Sequence, residues 1–445
     1  MKIKSVCVVG MGFIGTTLAA VLAEAGFEVL GIEKDKEKLA QLAQGKPHFY
    51  EKGLNEALSA TLGKQLYVFG AIPIDKAIDA FIISVATPVD KETKKPNLEY
   101  VKKATEDLLP HLQDGQLVIL RSTVPVGISR NVVLPILKKS GKQVHVAFCP
   151  ERTAEGKAME ELKTLPQIIG GVDEKSVELA ELLFSKITPS IVKTSSLETA
   201  EVIKLINNSY RDFSFAYANQ IALICKSLDL NTKEVVESAN AGYPRSNIMQ
   251  PGFVGGNKPG FVGGVCLEKD PYILLDLIDQ NSVDGSLIKA VRAINENLPQ
   301  HVFEKVKEHL KEKDSPKIFI SGFAFKGHPE TDDLRGSPAL RLLDIFKQAG
   351  FNNIHGHDFI VKEEEIKKMQ VAYASLEEGL QDADVAIFMN NHKKYDSIDI
   401  ESLAKRPRPG ALLFDGWQLF DEKLKNINHI HYESIGFKRP ISKEA

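Results

Sequence analysis

The stretch Gly10-Met11-Gly12-Phe13-Ile14-Gly15 decides the fold of the first part of this chain. It follows a short apolar run and opens a helical stretch that continues to Ala25. Strand, glycine turn and helix in this order form the dinucleotide-binding fingerprint, in which the glycines allow a tight turn, close approach of a pyrophosphate and helix packing. A second apolar run ends in Glu33, where a carboxylate suits a ribose hydroxyl and would repel a 2′-phosphate. The pattern therefore predicts NAD as cofactor, bound by Gly10, Gly12, Phe13, Ile14, Gly15 and Glu33.

Length, charge and cysteine usage set wide bounds. A chain of 445 residues has room for two or three domains. Its formal net charge of −3 gives no reason to expect nucleic acid or a membrane as a partner. The cysteines show no CxxC pairing and no zinc spacing, so no metal site is predicted. Scattered thiols, with no signal peptide and no apolar run of membrane-spanning length, predict a cytoplasmic α/β protein.

Short β-branched runs alternate with amphipathic helices up to about residue 195, which predicts a parallel sheet. Ligands bind outside the carboxyl ends of the strands in such a sheet. Thr87, Thr123 and Glu151 each follow one of these runs, so we expect them to meet the cofactor or the substrate. An ordinary role as turn or cap residues accounts for each of them equally well.

The same patterns divide the chain into three predicted domains. Residues 1–195 form the NAD-binding Rossmann domain, and 196–310 form a central helical domain built on one long helix without proline or glycine. After a charged linker, residues 316–445 alternate again and predict a second Rossmann-like domain. The predicted fold class is therefore α/β, with two Rossmann-like parallel sheets joined by a long central helix and a helical region.

Two groups of residues in the central segment are candidates for chemistry. Glu201, Lys204 and Asn208 fall on one side of the long helix, where a solvated face of salt bridges is the simpler explanation. Cys266 has two glycines before it and a Lys-Asp pair shortly after it. A nearby cation helps to hold a thiol as the nucleophilic thiolate. A buried structural cysteine is the alternative, but the charged neighbours fit it poorly.

Six motifs, in one order along nearly the whole chain, resemble the UDP-glucose/GDP-mannose dehydrogenase family of nucleotide-sugar 6-dehydrogenases. The glycine turn is the first of them. The others are Ser122-Thr123-Val124-Pro125-Val126-Gly127, Pro150-Glu151 with Glu155-Gly156, Glu201-x-x-Lys204-x-x-x-Asn208, Gly263-Gly264-x-Cys266-x-x-Lys269-Asp270, and Gly322-Phe323-Ala324-Phe325-Lys326 with Asp332-Asp333-Leu334-Arg335-x-Ser337-Pro338.

The resemblance implies a four-electron oxidation of the C6 alcohol of a UDP-hexose to a uronate, with two NAD molecules. Cys266 would trap the aldehyde as a thiohemiacetal, whose oxidation gives a thioester that water cleaves. Lys204 and Asn208 would stabilise the oxyanions. Asp270, Thr123 and Glu155 would position water and manage protons. The further implied cofactor contacts are Lys38, Thr87, Thr123, Lys269 and Arg335, and the implied substrate contacts are Glu151, Arg152, Lys204, Asn208, Arg245, Phe261, Gly263 and Lys326.

Departures from the family pattern bear on the sugar. The Pro150-Glu151-Arg152 form is similar to the branch acting on UDP-N-acetylhexosamines, whereas the UDP-glucose branch usually has phenylalanine in place of Arg152. Val265 and Glu155 depart from that N-acetylhexosamine branch, which often has histidine and proline at those positions. Trp417 replaces an arginine common in the UDP-glucose branch. The balance favours UDP-N-acetylglucosamine or UDP-N-acetylmannosamine, with UDP-glucose as the alternative.

Two functions of other classes compete with this interpretation. A two-electron β-hydroxyacid dehydrogenase shares the Rossmann domain and a long helix with lysine and asparagine, but it needs neither the cysteine nor the second domain. A non-catalytic nucleotide-sugar sensor would tolerate loss of Cys266 or Lys204, and both are present. Because the helix at 199–228 is apolar over more than one face, we expect a homodimer or higher homo-oligomer with this helix at the interface.

Overall fold

A computed structural model describes residues 2–244, 258–311 and 313–438. By their internal contacts the residues form two compact units, Met1–Asn208 with Lys269–Asp284, and Ser209–Glu268 with Gly285–Ala445. The predicted central domain is thus shared between the two units, because two of its helices contribute residues to both. Within the described ranges, no helix combines the length and apolar character needed to cross a membrane.

The first unit is built on an eight-stranded sheet. Its strands are β1 Ser5–Val9, β2 Glu28–Ile32, β3 Leu66–Phe69, β4 Ala80–Ile83, β5 Leu117–Leu120, β6 His145–Phe148, β7 Gln167–Gly171 and β8 Ile191–Lys193. They lie in the order β3-β2-β1-β4-β5-β6-β7-β8, and neighbours are parallel except β6 and β7. The first six follow the dinucleotide-binding order, whose reversal between β1 and β4 opens a crevice at their carboxyl ends.

Helices cover both faces of this sheet. Within β4, Ile82 packs into one apolar cluster while Phe81 and Ile83 pack into the other. Successive strand residues point to opposite faces, so both faces of β4 are buried, as expected for a parallel sheet. The helices are α1 Phe13–Glu24, α2 Lys36–Ala43, α3 Leu54–Thr61, α4 Glu99–Leu108, α5 Leu134–Lys138, α6 Ala158–Thr164 and α7 Glu174–Phe184, with parts of α8 Leu197–Ser227 and α10 Val265–Gln280.

The second unit repeats the same strand order. Its strands are β9 Ile318–Ser321, β10 Ile354–His357, β11 Ala372–Tyr373, β12 Val385–Phe388, β13 Leu412–Asp415 and β14 His431–Ser434. They are all parallel, in the order β11-β10-β9-β12-β13-β14. Its further helices are α9 Thr232–Asn240, α11 Ser286–Leu310, α12 Pro338–Gln348, α13 Glu363–Lys368, α14 Leu376–Leu380 and α15 Ile400–Leu403. The predicted α/β class, the second Rossmann-like sheet and the long helix, α8, are confirmed.

Candidate active site

The glycine turn after β1 fits a dinucleotide. Gly10 has φ +95°, and a Cβ atom there would lie 2.6 Å from the Ser84 carbonyl oxygen. A Cβ on Gly15 would lie 1.9 Å from the Gly10 carbonyl oxygen. The turn and helix α1 can therefore come this close only because both positions are glycine. Gly12 begins α1 without a side-chain cap, and no atom lies within 4 Å of its Cβ position. An uncapped helix N-terminus beside open space suits a pyrophosphate.

Four further residues predicted to bind the cofactor lie just after β2, on α2 and in the first turn of α1. Glu33 follows β2 and is half-buried, and one carboxylate oxygen accepts the Asp35 N–H at 2.9 Å. Lys38 lies on α2, with its ammonium 3.8 Å from the Asp35 carboxylate. Phe13 and Ile14 are half-buried in the first turn of α1, and the Phe13 ring centroid lies 4.8 Å from that of Phe49. Glu33 therefore lies directly after β2, at the position where the sequence predicted an acid.

Five predicted residues form one hydrogen-bonded series in the first unit. The Thr87 hydroxyl donates to the Thr123 carbonyl at 2.6 Å, and Lys269 Nζ lies 3.4 Å from the Thr87 Oγ1. Lys269 Nζ also lies 2.7 Å from one carboxylate oxygen of Asp270, while the Asn208 amide donates to the other. Asp270 is fully buried. The turns after β4 and β5 are thereby joined to α8 and α10.

Glu201 and Lys204 overturn one expectation about α8. Glu201 is fully buried and Lys204 is 7% exposed, so the interpretation as a solvated salt-bridge face, which the family resemblance already disfavoured for Lys204, is wrong. The Glu201 carboxylate accepts N–H groups of Gly127 (2.5 Å) and Ser129 (2.9 Å), in the turn that follows Thr123. Burial raises the pKa of Glu201, against the hydrogen bonds, which lower it. The helical spacing correctly predicted that Glu201 and Lys204 share one side of α8. It did not predict that the turn after Thr123 packs against that side.

Glu151 has an internal partner that the sequence analysis missed. Its carboxylate forms a buried ion pair with Arg121 and accepts the N–H groups of Arg152 (2.7 Å) and Thr153 (2.8 Å). Burial opposes ionisation of Glu151, but Arg121, the Thr153 N–H and the charge of Lys204 outweigh it and hold the pKa of Glu151 below its usual value. Because the carboxylate is engaged inside the unit, its geometry favours a positioning role over the direct sugar contact we predicted.

Arg152 and Glu155 lie in the loop after Glu151, and both are half-buried. The Arg152 guanidinium donates to the Pro166 carbonyl oxygen. That bond uses one of the five N–H groups of a guanidinium. Burial lowers the pKa of Arg152, with the Glu151 charge acting in the opposite direction. The acceptor that the structure shows for the Arg152 guanidinium is thus a backbone carbonyl.

In the second unit, Cys266 is the exposed thiol. Cys7, Cys149 and Cys225 are buried, and burial raises the pKa of Cys7 and of Cys149 to about 12. Cys266 lies in the first turn of α10, where the helix N-terminus stabilises negative charge on a side chain. The alternative of a buried structural cysteine is therefore wrong.

Glycines shape the chain on the approach to Cys266. Gly264 has φ +90°, and a Cβ there would lie 2.7 Å from the Phe325 ring. A Cβ on Gly263 would lie 2.5 Å from the Gly336 carbonyl oxygen. Phe261, predicted to contact substrate, is 3% exposed and packs in the apolar core of the second unit, which gives its ring a packing role.

The other predicted residues of the second unit lie in the loop that follows β9. Lys326 is half-buried, with its ammonium 5.3 Å from the Phe325 ring centroid. Arg335 is largely exposed and forms an ion pair with Asp333 at 2.6 Å. Arg245, predicted to bind substrate, lies outside the described residues.

The second sheet carries a counterpart of the glycine turn. Gly322 follows β9 with φ +98°, and its N–H donates to the His357 carbonyl at 2.9 Å, as the Gly10 N–H donates to the Ile32 carbonyl. Asp358 follows β10 as Glu33 follows β2. Its carboxylate folds back and accepts the turn N–H groups of Phe323 (2.7 Å) and Ala324 (3.0 Å). In this turn, two backbone donors are occupied by a side chain of the protein itself.

Three domain models of the UDP-glucose/GDP-mannose dehydrogenase family match the chain. The NAD binding domain matches residues 4–188, the central domain 198–297 and the UDP binding domain 319–422. UDP-N-acetyl-D-mannosamine dehydrogenase of Methanocaldococcus jannaschii is 33% identical over 446 residues, covering 98% of this chain and 95% of that protein. The enzyme of the same name from Campylobacter jejuni is 32% identical over 420 residues, covering 90% and 98%. The structure of UDP-D-ManNAc dehydrogenase from Pyrococcus horikoshii has a TM-score of 0.84 at 30% identity, covering 97% and 99%.

Proposed function

The chain belongs to the UDP-glucose/GDP-mannose dehydrogenase family, and from that premise we propose that it oxidises C6 of a UDP-N-acetylhexosamine, with UDP-N-acetylmannosamine preferred. The protein is an NAD-dependent UDP-sugar dehydrogenase, an oxidoreductase. The relatives named for N-acetylmannosamine support this sugar over N-acetylglucosamine and glucose. A match that includes the UDP binding domain sets aside a two-electron β-hydroxyacid dehydrogenase, which needs no such domain.

The exposed thiol of Cys266 is the observation that carries the proposed four-electron reaction. NAD, when bound, supplies the acceptor for each hydride. After the first oxidation, the Cys266 sulfur adds to the C6 aldehyde and forms a C–S bond, which gives a thiohemiacetal. Loss of a second hydride gives a thioester, and water adds to its carbonyl carbon. The C–S bond then breaks, which releases the carboxylate and returns the thiol.

The first unit supplies the groups that would stabilise charge and hold water in these steps. Lys204 is a buried cation on α8, and a buried cation stabilises an oxyanion more strongly than an exposed one. The Asn208 amide has two N–H groups, and its bond to Asp270 uses one. Asp270 also holds the Lys269 ammonium, so a single carboxylate orients both donors. Thr123 and Glu155 are the proposed groups for water and protons.

We also propose that the protein is a homodimer or a higher homo-oligomer with α8 at the interface. Tyr210, Tyr217 and Ile224 lie on α8 at intervals of seven residues and are 57%, 36% and 46% exposed. Apolar side chains seven residues apart line one side of a helix, which is the pattern that a second helix covers. A second copy of the chain would bury this row of side chains.

The proposal is tested by measuring NADH formation with a panel of UDP- and GDP-sugars. We expect the highest kcat/KM with UDP-N-acetylmannosamine and two NADH per sugar. Higher kcat/KM with UDP-glucose than with either N-acetylhexosamine would overturn the proposed substrate. One NADH per sugar, with an aldehyde as the final product, would overturn the proposed route through Cys266.

A further inference from the structure

The loop at 151–157 carries Arg152 and Glu155, and it contains neither a strand nor a helix. Its backbone is held by carboxylates instead. Glu151, Glu161 and Glu51 accept N–H groups along the loop and at the start of α6. Glu151 accepts from Arg152 and Thr153, Glu161 accepts from Ala154, and Glu51 accepts from Gly156 and Ala158.

Glu51 makes the connection with the longest separation in sequence. One of its carboxylate oxygens accepts the Gly156 N–H at 2.6 Å and the other accepts the Ala158 N–H at 2.8 Å, over 105 and 107 residues of chain. Glu51 is 5% exposed. Because each oxygen has its own N–H donor, the position requires two acceptors, which a carboxylate provides and an amide does not.

Glu51 is itself fixed by the core. It stands three residues before α3, whose Leu54, Ala57 and Leu58 pack in the same apolar cluster as Met159 and Leu162 of α6. The segment at 47–53 also contacts the cofactor end of the unit, where the Phe49 ring lies 4.8 Å from the Phe13 ring. A residue whose neighbours pack in the core, and whose carboxylate makes charge-assisted hydrogen bonds to a loop, can hold that loop in one position.

We propose that Glu51 is a positioning residue of the dehydrogenase, which sets the place of Gly156 and therefore of its neighbour Glu155. This inference rests on the proposed function, because Glu155 is assigned to proton and water handling in that reaction. Gly156 has φ +85°, so its conformation is one that few other residues adopt. Without the Glu51 carboxylate, both the Gly156 N–H and the Ala158 N–H lose their acceptor, and only Glu151 and Glu161 still hold the loop.

The test is the substitution Glu51→Gln. Glutamine has the same length, but it presents an NH₂ group to one of the two N–H donors, so one hydrogen bond is lost and two donors face each other. We expect kcat/KM for UDP-N-acetylmannosamine to fall about tenfold or more, through a lower kcat as well as a higher KM. The Kd of NADH, followed by its fluorescence, should stay within about twofold of wild type, because the glycine turn is unchanged.

Two matched variants accompany it. Glu56→Gln, at an exposed position on α3, also replaces a glutamate by glutamine, but at the surface. It should leave kcat/KM for the sugar and the Kd of NADH unchanged. Glu161→Gln should lower kcat/KM less than Glu51→Gln does. The Glu161 carboxylate accepts a single loop N–H, that of Ala154, and one amide oxygen can accept it instead. If Glu51→Gln does not fold, Glu51→Asp keeps both oxygens but shortens the side chain, and an intermediate loss of kcat/KM with NADH affinity retained is expected.

The outcomes separate this inference from the proposed function. Wild-type protein that reduces no NAD with any UDP-sugar refutes the proposed function, and this role of Glu51 with it. In an active enzyme, a Glu51→Gln variant whose kcat/KM equals that of Glu56→Gln overturns the inference on Glu51 alone. Equal losses of sugar turnover and NADH affinity would also overturn it, since they indicate general damage to the unit.

Discussion

The side-chain amide of Asn208 on α8 donates a hydrogen bond to the buried carboxylate of Asp270 on α10. The two residues are 62 positions apart in sequence, and Lys269 binds the other oxygen of the same carboxylate. Asp270 therefore orients an amide and an ammonium at once. A carboxylate so placed can control the geometry of both donors without touching the sugar itself.

The first prediction concerns this carboxylate. Asp270→Asn should lower kcat about 100-fold, because an amide presents only one oxygen to Asn208 and Lys269, and the half-buried Lys269 ammonium loses its carboxylate. Steady-state NADH assays measure the effect. Asp279→Asn, at an exposed position on the same helix, is the control and should keep wild-type kcat. Asp270→Asn with wild-type kcat would remove Asp270 from the site.

The second prediction concerns the thiol. Cys266→Ala should abolish release of the uronate, because no sulfur remains to form the thioester. Product analysis by mass spectrometry measures this, and Cys225→Ala, which removes a buried thiol, should still release uronate. Iodoacetamide should label Cys266 in the native protein, and the other cysteines only after unfolding, since they are buried. Uronate formed by Cys266→Ala at the wild-type rate would exclude the thioester route.

The third prediction concerns the cofactor. NAD should be preferred over NADP by about 100-fold in kcat/KM, because Glu33 accepts ribose hydroxyls and repels a 2′-phosphate. Glu33→Ala should raise the KM for NAD about tenfold by removing that hydrogen-bond acceptor, whereas Glu37→Ala, at an exposed position on α2, should not. Similar kcat/KM values for the two cofactors in wild-type enzyme would show that Glu33 does not face the ribose.

The fourth prediction concerns the oligomer. Tyr217→Glu should dissociate the oligomer, because it places a charge within the row of exposed apolar side chains on α8. Light scattering at working concentration measures the mass of each variant. Tyr100→Glu, at a tyrosine on α4 that is more exposed than Tyr217 (58% against 36%), is the control and should not change the mass. A monomeric wild-type protein would remove α8 from any interface.

The fifth prediction concerns the sugar. Arg152→Phe should lower kcat/KM for the N-acetylated sugar about tenfold more than for UDP-glucose, because the guanidinium has further donors for an acetamide carbonyl beyond its bond to Pro166. UDP-glucose turnover by the same variant is the internal control for folding. Equal losses on both sugars would show that Arg152 serves the loop and not the acetamide.

The sequence predicted those features that depend on neighbouring residues. The glycine turn, the strand alternation and the long helix at 197–227 each follow from local periodicity or backbone requirements, and each is confirmed in the structure. The sequence did not reveal the partners of Glu51 and Glu151, because these bonds join residues 105 and 30 positions apart. It also placed Glu201 on a solvated face, since periodicity says which residues share a side but not what packs against it.

The position of Asp358 distinguishes the turn after β9 from the glycine turn after β1, although both sheets have the same strand order. Its carboxylate accepts two N–H groups of the turn after β9, whereas the corresponding turn of the first unit leaves open space at Gly12. A dinucleotide that entered this turn would have to displace the carboxylate from both N–H groups, which disfavours NAD at the second sheet relative to the first. A single side chain at the end of one strand can therefore distinguish two turns that follow strands of the same topological order.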